Sequence, residues 1–223
     1  MALTPTDLGD NTGAAAGSIT LASVAITAGE LVLATVGILD PFDAATVSGV
    51  TLNGVAMTQV IAKKGASGGS QWCHTSTWRI TAGTTGTYDI VATFTDTATT
   101  CEITGRKYTG FDTGTPIGDT DSVDANATST IALTLDTAAG DEVLDSKVAE
   151  NYGNDESANG GQTALYDATE FGVSFKAAAG SSTSVGWSNI TNAGYVYTAV
   201  VIKVAGASAS IIPILNSYRL RSI

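Results

Sequence analysis

Apolar and polar residues alternate along most of this chain, and helical spacing is nearly absent. Short runs rich in β-branched residues are bounded by Gly, Asn, Asp and Ser, the pattern of half-buried strands. Ile19, Leu21, Val24 and Ile26 mark a first strand, with an irregularity expected near Ala22-Ser23, where the alternation slips. Ala28-Gly29-Glu30 turns the chain. The next run, Glu30–Leu39, is almost continuously apolar, which predicts a central strand covered on both faces. Val47–Leu52 and Val55–Lys63 flank Asn53-Gly54, the strongest hairpin signal in the chain, because a type I′ turn needs φ > 0 at both central residues. Gln71–Ile80 places Trp72, His74, Ser76, Trp78 and Ile80 on one face and Gln71, Cys73, Thr75, Thr77 and Arg79 on the other. Thr87–Thr95 and Cys101–Thr109 follow as two strands, with Gly105 a candidate bulge. Residues 110–126 read as a loop.

The pattern then starts again. Ser129–Asp136 leads through Ala138-Ala139-Gly140-Asp141 into Glu142–Ala149, as Ser18–Thr27 leads through Ala28-Gly29 into Glu30–Gly37. Both read as strand, small-residue turn with Gly, acidic residue, Val-Leu, strand. Thr163–Ala168, Gly172–Ala178, Ser182–Asn189 and Tyr195–Ala205 continue in the order of the first half. This weak internal similarity points to a duplicated unit of four to five strands. Strands at this spacing imply an antiparallel β-sandwich or barrel. The organisation expected is an N-terminal arm over 1–17, a sandwich over 18–205 and a separate C-terminal segment over 206–223.

Charge narrows the function classes. The 223 residues carry 10 basic and 21 acidic side chains, a net charge of -11, which argues against nucleic-acid binding. No apolar stretch is long enough to span a bilayer. The opening residues have neither a basic nor an apolar region, so no signal peptide is expected. All acidic residues lie in 1–170, whereas 171–223 holds Lys176, Lys203, Arg219 and Arg221 and no acid. The terminal segment is both apolar and basic: Ile211, Ile212, Ile214, Leu215, Tyr218, Arg219, Leu220 and Arg221 are its candidate partner-contacting residues. Such a tail should not stay loose in water, so it either packs on its own domain or docks on another subunit.

Catalytic chemistry is thin. A lone His74 on a strand reads as a packed sheet histidine, and Cys73 and Cys101 as small buried hydrophobes whose pairing the sequence leaves open. No zinc site is expected, because Cys73 and His74 point to opposite faces. The loop acids Asp112, Asp119, Asp121, Asp124, Asp141, Glu142, Asp155 and Glu156 read as a solvated rim. Asp119, Asp121 and Asp124 invite a calcium reading, but the loop departs from the EF-hand pattern at Val123. No catalytic, metal or cofactor residue is assigned. Trp72, Trp78, Tyr88 and Phe94 read as core. A carbohydrate-binding module would instead require aromatics such as Trp72, Trp78, Tyr88, Tyr195 and Tyr197 exposed in a row.

Several segments carry a resemblance: Ala28-Gly-Glu-Leu-Val-Leu-Ala-Thr-Val, Val50-Thr-Leu-Asn-Gly-Val-Ala-Met-Thr, Trp78-Arg-Ile-Thr-Ala-Gly-Thr-Thr-Gly-Thr-Tyr, Arg106-Lys-Tyr-Thr-Gly-Phe-Asp and Thr115-Pro-Ile-Gly. Their order over 18–205 resembles jelly-roll-like β-sandwich modules of tailed-phage virion proteins and of some bacterial surface proteins. The resemblance rests on strand and turn patterns. It implies a jelly-roll-like all-β fold and a non-enzymatic head decoration, vertex or turret-like component that acts by assembly. It further implies a homo-oligomer assembled in the host cytoplasm and bound to other virion proteins such as the major capsid protein, with no membrane and no cofactor. A carbohydrate-binding or tail/fibre module for host attachment is the alternative.

Overall fold

Alternation becomes strand throughout the computed structural model, which describes residues 2–66, 71–126, 130–150, 157–168, 170–188 and 194–206. The first half contributes β1 (Thr4–Ile26), β2 (Leu31–Asp40), β3 (Val47–Leu52), β4 (Val55–Ala56), β5 (Thr58–Ala66), β6 (Trp72–Thr81) and β7 (Gly86–Thr109). The second contributes β8 (Ile117–Asn126), β9 (Thr130–Asp136), β10 (Glu142–Ala149), β11 (Ser157–Ala158), β12 (Thr163–Asp167), β13 (Phe171–Ala177), β14 (Ser182–Ser188) and β15 (Gly194–Ile202). All pairings between these strands are antiparallel.

The two halves have one strand order. In the second, β12-β13-β10-β15-β8 forms a five-stranded layer and β11-β14-β9 a three-stranded one. In the first, the C-terminal part of β7 and the N-terminal part of β1 complete a layer ordered β5-β6-β2-β7-β1. The remaining parts of β7 and β1 turn away and join β3 and β4 as the second layer. If β1 is set against β8 and β9, and β7 against β14 and β15, the orders coincide, with the short β4 as the one described strand without a counterpart. Register shifts in β1 between Asp7 and Gly9, Ala16 and Ser18, and Leu21 and Val24 let that strand change layers. The duplication reaches the turns. The Glu30 carboxylate accepts the Thr27 amide (2.7 Å) and the Asp141 carboxylate accepts the Ala138 amide (2.8 Å). Gly29 (φ +87°) donates to the Ala82 carbonyl, and Gly140 (φ +95°) to that of Ala178.

Packing explains the continuous apolar runs. Val32, Ala34, Val36 and Ile38 of β2 point into the first sandwich beside Leu21, Val50, Ile90 and Ile103. Leu31 and Leu33 point the other way, into a seam shared with Tyr108, Leu144, Val173, Val200 and Ile202. On β10, Val143 and Ala149 face the second sandwich with Leu135, Trp187 and Tyr197, while Leu144 and Val148 face the seam. The two five-stranded layers therefore stack face to face, and β2 and β10 are buried along their whole length. Gly37 lets the seam close, since a Cβ there would stand 2.6 Å from the Phe171 ring and 2.9 Å from Val148.

Five expectations change. The duplicated unit, expected to have four to five strands within one sandwich, is a sandwich of its own in each half, with seven strands in the first and eight in the second. Residues 4–17, read as an arm, are the first part of β1 and pair with β7 from Thr4↔Thr109 onward. Residues 117–126, read as loop, are β8. The runs at 87–95 and 101–109 are one bent strand, β7. The bulge expected at Gly105 lies opposite it, at Leu8 between Asp7↔Arg106 and Gly9↔Gly105. Gly105 supplies the room for it, since a Cβ there would meet Leu21 at 2.7 Å and Leu8 at 3.0 Å. The irregularity near Ala22-Ser23 is present, with Ser23 at φ +59°, and Asn53 and Gly54 have φ +51° and +75°, as the hairpin signal requires.

Candidate functional site

The residues that could carry acid–base or nucleophilic chemistry are dispersed. His74 is buried, and burial together with the neighbouring Lys64 charge takes its pKa down to about 4, so it is neutral at pH 7. Cys73 and Cys101 are free thiols. Burial first, and nearby carboxylates after it, push them up to about 12 and about 11, so neither offers a thiolate. Asp119, Asp121 and Asp124 lie on strand β8, whose alternation sends Asp124 to the face opposite the other two. Asp124 pairs with Lys63, and Asp119 accepts the Asp136 amide (2.9 Å). Asp112 holds the Gly114 and Thr115 amides, and Asp141 those of Ala138 and Val204. Asp155 and Glu156 lie outside the described residues. Among the described residues no group of three His, Cys, Asp or Glu side chains is placed to hold a metal ion.

Buried polar groups concentrate instead at the seam and in the second sandwich. Arg106 of β7 donates from Nε to Glu142 Oε1 (2.9 Å) and from Nη2 to Oε2 (3.1 Å), a bidentate pair across the seam. Tyr108 also donates to Glu142 Oε1 (2.8 Å), and Asp7 of β1 accepts from Arg106 Nη1. The guanidinium carbon stands 3.7 Å from the centroid of the Phe175 ring. Glu102, fully enclosed beside Thr104, is pushed up to about 8 by burial and by the Asp10 charge, against the Thr104 hydrogen bond. In the second sandwich, Asp145 accepts from Trp187 Nε1 (2.8 Å), Ser174 Oγ (2.7 Å) and Gln162 Nε2 (3.0 Å). Burial still raises it to about 7. These groups join strands to one another and line none of the surface clefts described below.

The surface divides into two ends. One end, the base, carries the turns at 27–30, 53–54, 82–85, 110–116 and 137–141. There a cleft of about 580 Å³ is lined by Ala2, Asp112, Ala138–Asp141 and Lys203–Gly206. The chain leaves the second sandwich through this cleft under firm restraint. Val204 pairs with Phe111. The Val204 amide meets Asp141 (2.9 Å) and the Ala205 amide the Gly110 carbonyl (2.8 Å). Ala2 and Gly206 thus share one site, fastened to both halves. A second, apolar cleft of about 260 Å³ opens at the base between Leu52, Asn53, Val55, Ile80–Thr84 and Tyr88.

The opposite end, the tip, holds the loop after β2. Asp40, 2% exposed, accepts the backbone amides of Phe42 (3.2 Å), Ala44 (2.7 Å) and Ala45 (2.8 Å). The loop is therefore fixed, and it presents Phe42 at 83% exposure. Asp43 beside it pairs with Lys64, whose ammonium lies 5.7 Å from the Trp72 ring centroid. Sequence reading passed over Phe42. The available signal was a lone aromatic inside Asp40-Pro41-Phe42-Asp43, a turn sequence with nothing apolar next to it.

The candidate contact residues Ile211, Ile212, Ile214, Leu215, Tyr218, Arg219, Leu220 and Arg221 lie outside the described residues, the last of which, Gly206, lines the base cleft. The aromatic row needed for a sugar platform does not form: Trp78, Tyr195 and Tyr197 are buried, and the Tyr88 hydroxyl is held by Thr84 and Thr85. Phe94 is buried in the first core, as expected. Among the described residues no helix is long and apolar enough to cross a membrane. No family model and no curated protein matches this chain.

Proposed function

We propose that this chain is a non-enzymatic virion structural protein of a tailed phage, a head decoration, vertex or turret-like component that acts by assembly. The observation that carries the proposal is the shared base cleft. Ala2 and Gly206 both line it, and from Gly206 the sequence runs on into an apolar and basic segment with no acidic residue. A body fastened at one end and bearing a rigid loop at the other suits a component that stands on a particle. The strand order supports the same reading: with the strands of each half numbered one to eight, the first, eighth, third and sixth lie side by side, as in a jelly roll. Buried charge is used in pairing strands, which suits a structural role. The acidic body and the basic segment are complementary, so Arg219 and Arg221 would meet acidic surface on a neighbouring copy or on the major capsid protein. Host attachment through a carbohydrate-binding surface is the weaker reading, because three aromatics of its row, Trp78, Tyr195 and Tyr197, are taken up by the cores.

The test compares the full chain with a variant ending at Gly206. Both are supplied to cells producing the phage, and purified particles are assayed for the protein by mass spectrometry. The full chain is expected on the particles, and the shortened chain is expected to fold, melt within a few degrees of the full chain, and be missing from them. Incorporation of both to the same level would overturn the role given to 207–223.

A further inference from the structure

Of the described lysines, Lys147 alone is fully buried, at 0% exposure. A lysine is almost never enclosed in this way without a specific partner. It stands on β10 between Asp145 and Ala149, on the face turned into the second sandwich. The centroid of the Trp187 ring lies 4.9 Å from its Nζ.

Strand β13 opens a lane for this side chain. Gly172 is the register partner of Lys147 on β10 and of Asp167 on β12, so the three residues share one face in a row. A Cβ at Gly172 would stand 2.7 Å from Lys147 Cε and 2.6 Å from Trp187 Cη2. Glycine therefore lets the lysine stem cross β13 beside the indole. The end of the stem arrives at β12, where Nζ donates to the carbonyl of Ala168, the residue after Asp167, at 3.5 Å. Asp167 lies at the exposed rim of the same face.

Burial works against both charges. It takes the Lys147 pKa down to about 8 despite the nearby Asp167 carboxylate, and it raises that of Asp167 despite the nearby ammonium. Both shifts favour the neutral amine and the neutral acid, the forms from which an amide is made. Holding the two on one face of one sheet makes their reaction intramolecular, and effective molarities for well-oriented groups reach on the order of 10⁵–10⁸ M.

We propose that Lys147 and Asp167 condense into a side-chain amide that ties the central strand β10 to the edge strand β12 across Gly172. The Nζ lone pair attacks Asp167 Cγ, and a C–N bond forms. The bond from Cγ to the protonated carboxyl oxygen breaks. That oxygen leaves as water, with its own proton and one proton from Nζ. No oxidant, reductant or other co-reactant enters. The tie closes the chain between 147 and 167 and keeps the edge strand from fraying. It is independent of the particle reading and of 207–223.

Intact mass spectrometry of the purified full chain under denaturing conditions tests it, with Asp167→Ala as the variant. Position 167 is exposed, so the variant is expected to fold, and an unchanged circular-dichroism spectrum checks that. Wild type is expected to be lighter than its sequence by the mass of one water, and Asp167→Ala to match its sequence. Trypsin does not cut after an acylated lysine. In denatured wild type, 108–147 and 148–176 are therefore expected to stay joined as one fragment, one water light, and in Asp167→Ala to separate. A wild type at its full sequence mass overturns the proposal, and so does cleavage after Lys147 in the wild type. A water missing from both proteins also overturns it, because the loss then lies at another position.

Discussion

A buried acid shows how this fold treats charge. Glu102 lies on β7 facing the second half, with Thr104 as its hydrogen-bond donor and Asp10 nearby. Burial is the largest effect on it and Asp10 adds repulsion; together they outweigh the Thr104 bond and take its pKa to about 8. The folded chain therefore holds this proton while the unfolded chain, near the ordinary value of 4.5, releases it. Native protein binds more protons between those values, so this residue's contribution to stability is full below about 4.5 and is lost as pH rises through about 8. Glu102→Gln removes the titration while keeping an acceptor for Thr104. The variant is expected to match wild type near pH 5 and to melt higher at pH 9. A buried charged carboxylate costs on the order of 1–3 kcal/mol, and each kcal/mol moves the melt by ~2–4 °C at this size. Calorimetry of both proteins at each pH isolates the effect, because Asp145 and His74 titrate in both and cancel. An equal gap at pH 5 and pH 9 would show that Glu102 is ionised throughout.

At the scale of elements, the loop after β2 depends on one side chain. Burial pushes the Asp40 carboxyl up, but the amides of Ala45, Phe42 and Ala44 and the charge of Lys64 together bring it below its ordinary value. The bonds made by the ionised form therefore hold above the ordinary value of 3.8 and weaken as pH falls through the lower folded value. Asp40→Ala leaves three amides without their acceptor and should cost about 2–4 kcal/mol, given ~1.5–3 for a bond to a charged group and the partial return of water to an exposed loop. Hydrogen exchange at Phe42, Ala44 and Ala45 should accelerate in the variant, while exchange within β2 should change only with global stability; unchanged loop exchange would refute the pinning. Which elements could be read from sequence follows from what stabilises each one. Asn53-Gly54 was legible because its φ angles demand those residues, and β2 because it is apolar on both faces. The first part of β1 and all of β8 were not legible. They are equivalent edge strands, each with one strand neighbour, and they are held by backbone pairing to β7 and β15. Thr4, Thr6 and Asp7, or Asp119, Asp121 and Asp124, suit an edge because charge there discourages further pairing, but they leave no apolar alternation to read. Phe42 was missed for the opposite reason: an isolated apolar residue has no period.

At the scale of the whole molecule, the seam works as an interface between two like bodies. Its strand contacts are partly reciprocal: β2 packs on β10, and β5 packs on β8 as β1 does on β12, whereas β5 and β6 also reach β15 with no comparable contact of β12 and β13 on β7 among the described residues. Equivalent layers meet through the same face, as in a two-fold dimer, here within one chain. The polar pairing across it is not reciprocal, because Arg106 of the first half meets Glu142 of the second, and Leu31 and Val200 lie at the corresponding places in the other half. An ion pair removed from water yields little net stability, since desolvation offsets most of its attraction. Removing one partner is another matter. Glu142→Ala leaves the buried Arg106 guanidinium with the half-exposed Asp7 as its one ion-pair partner among the described residues and the Tyr108 hydroxyl without its acceptor. That variant should lose about 3–5 kcal/mol, whereas the double replacement Arg106→Met with Glu142→Leu should recover most of the loss. Denaturant unfolding of the wild type, Arg106→Met, Glu142→Leu and the double variant forms the required cycle. A loss in the double variant equal to the sum of the single losses would show that the two groups act independently. Because the pair stands in the seam, the cycle also reports on cooperativity. If the halves are stabilised by each other, wild type should unfold in one transition at coincident midpoints for Trp78 in the first sandwich and Trp187 in the second, and Glu142→Ala should separate them. Coincident midpoints in that variant would mean that the apolar seam of Leu31, Leu33, Leu144 and Val200 is enough to bind the two sandwiches into one folding unit.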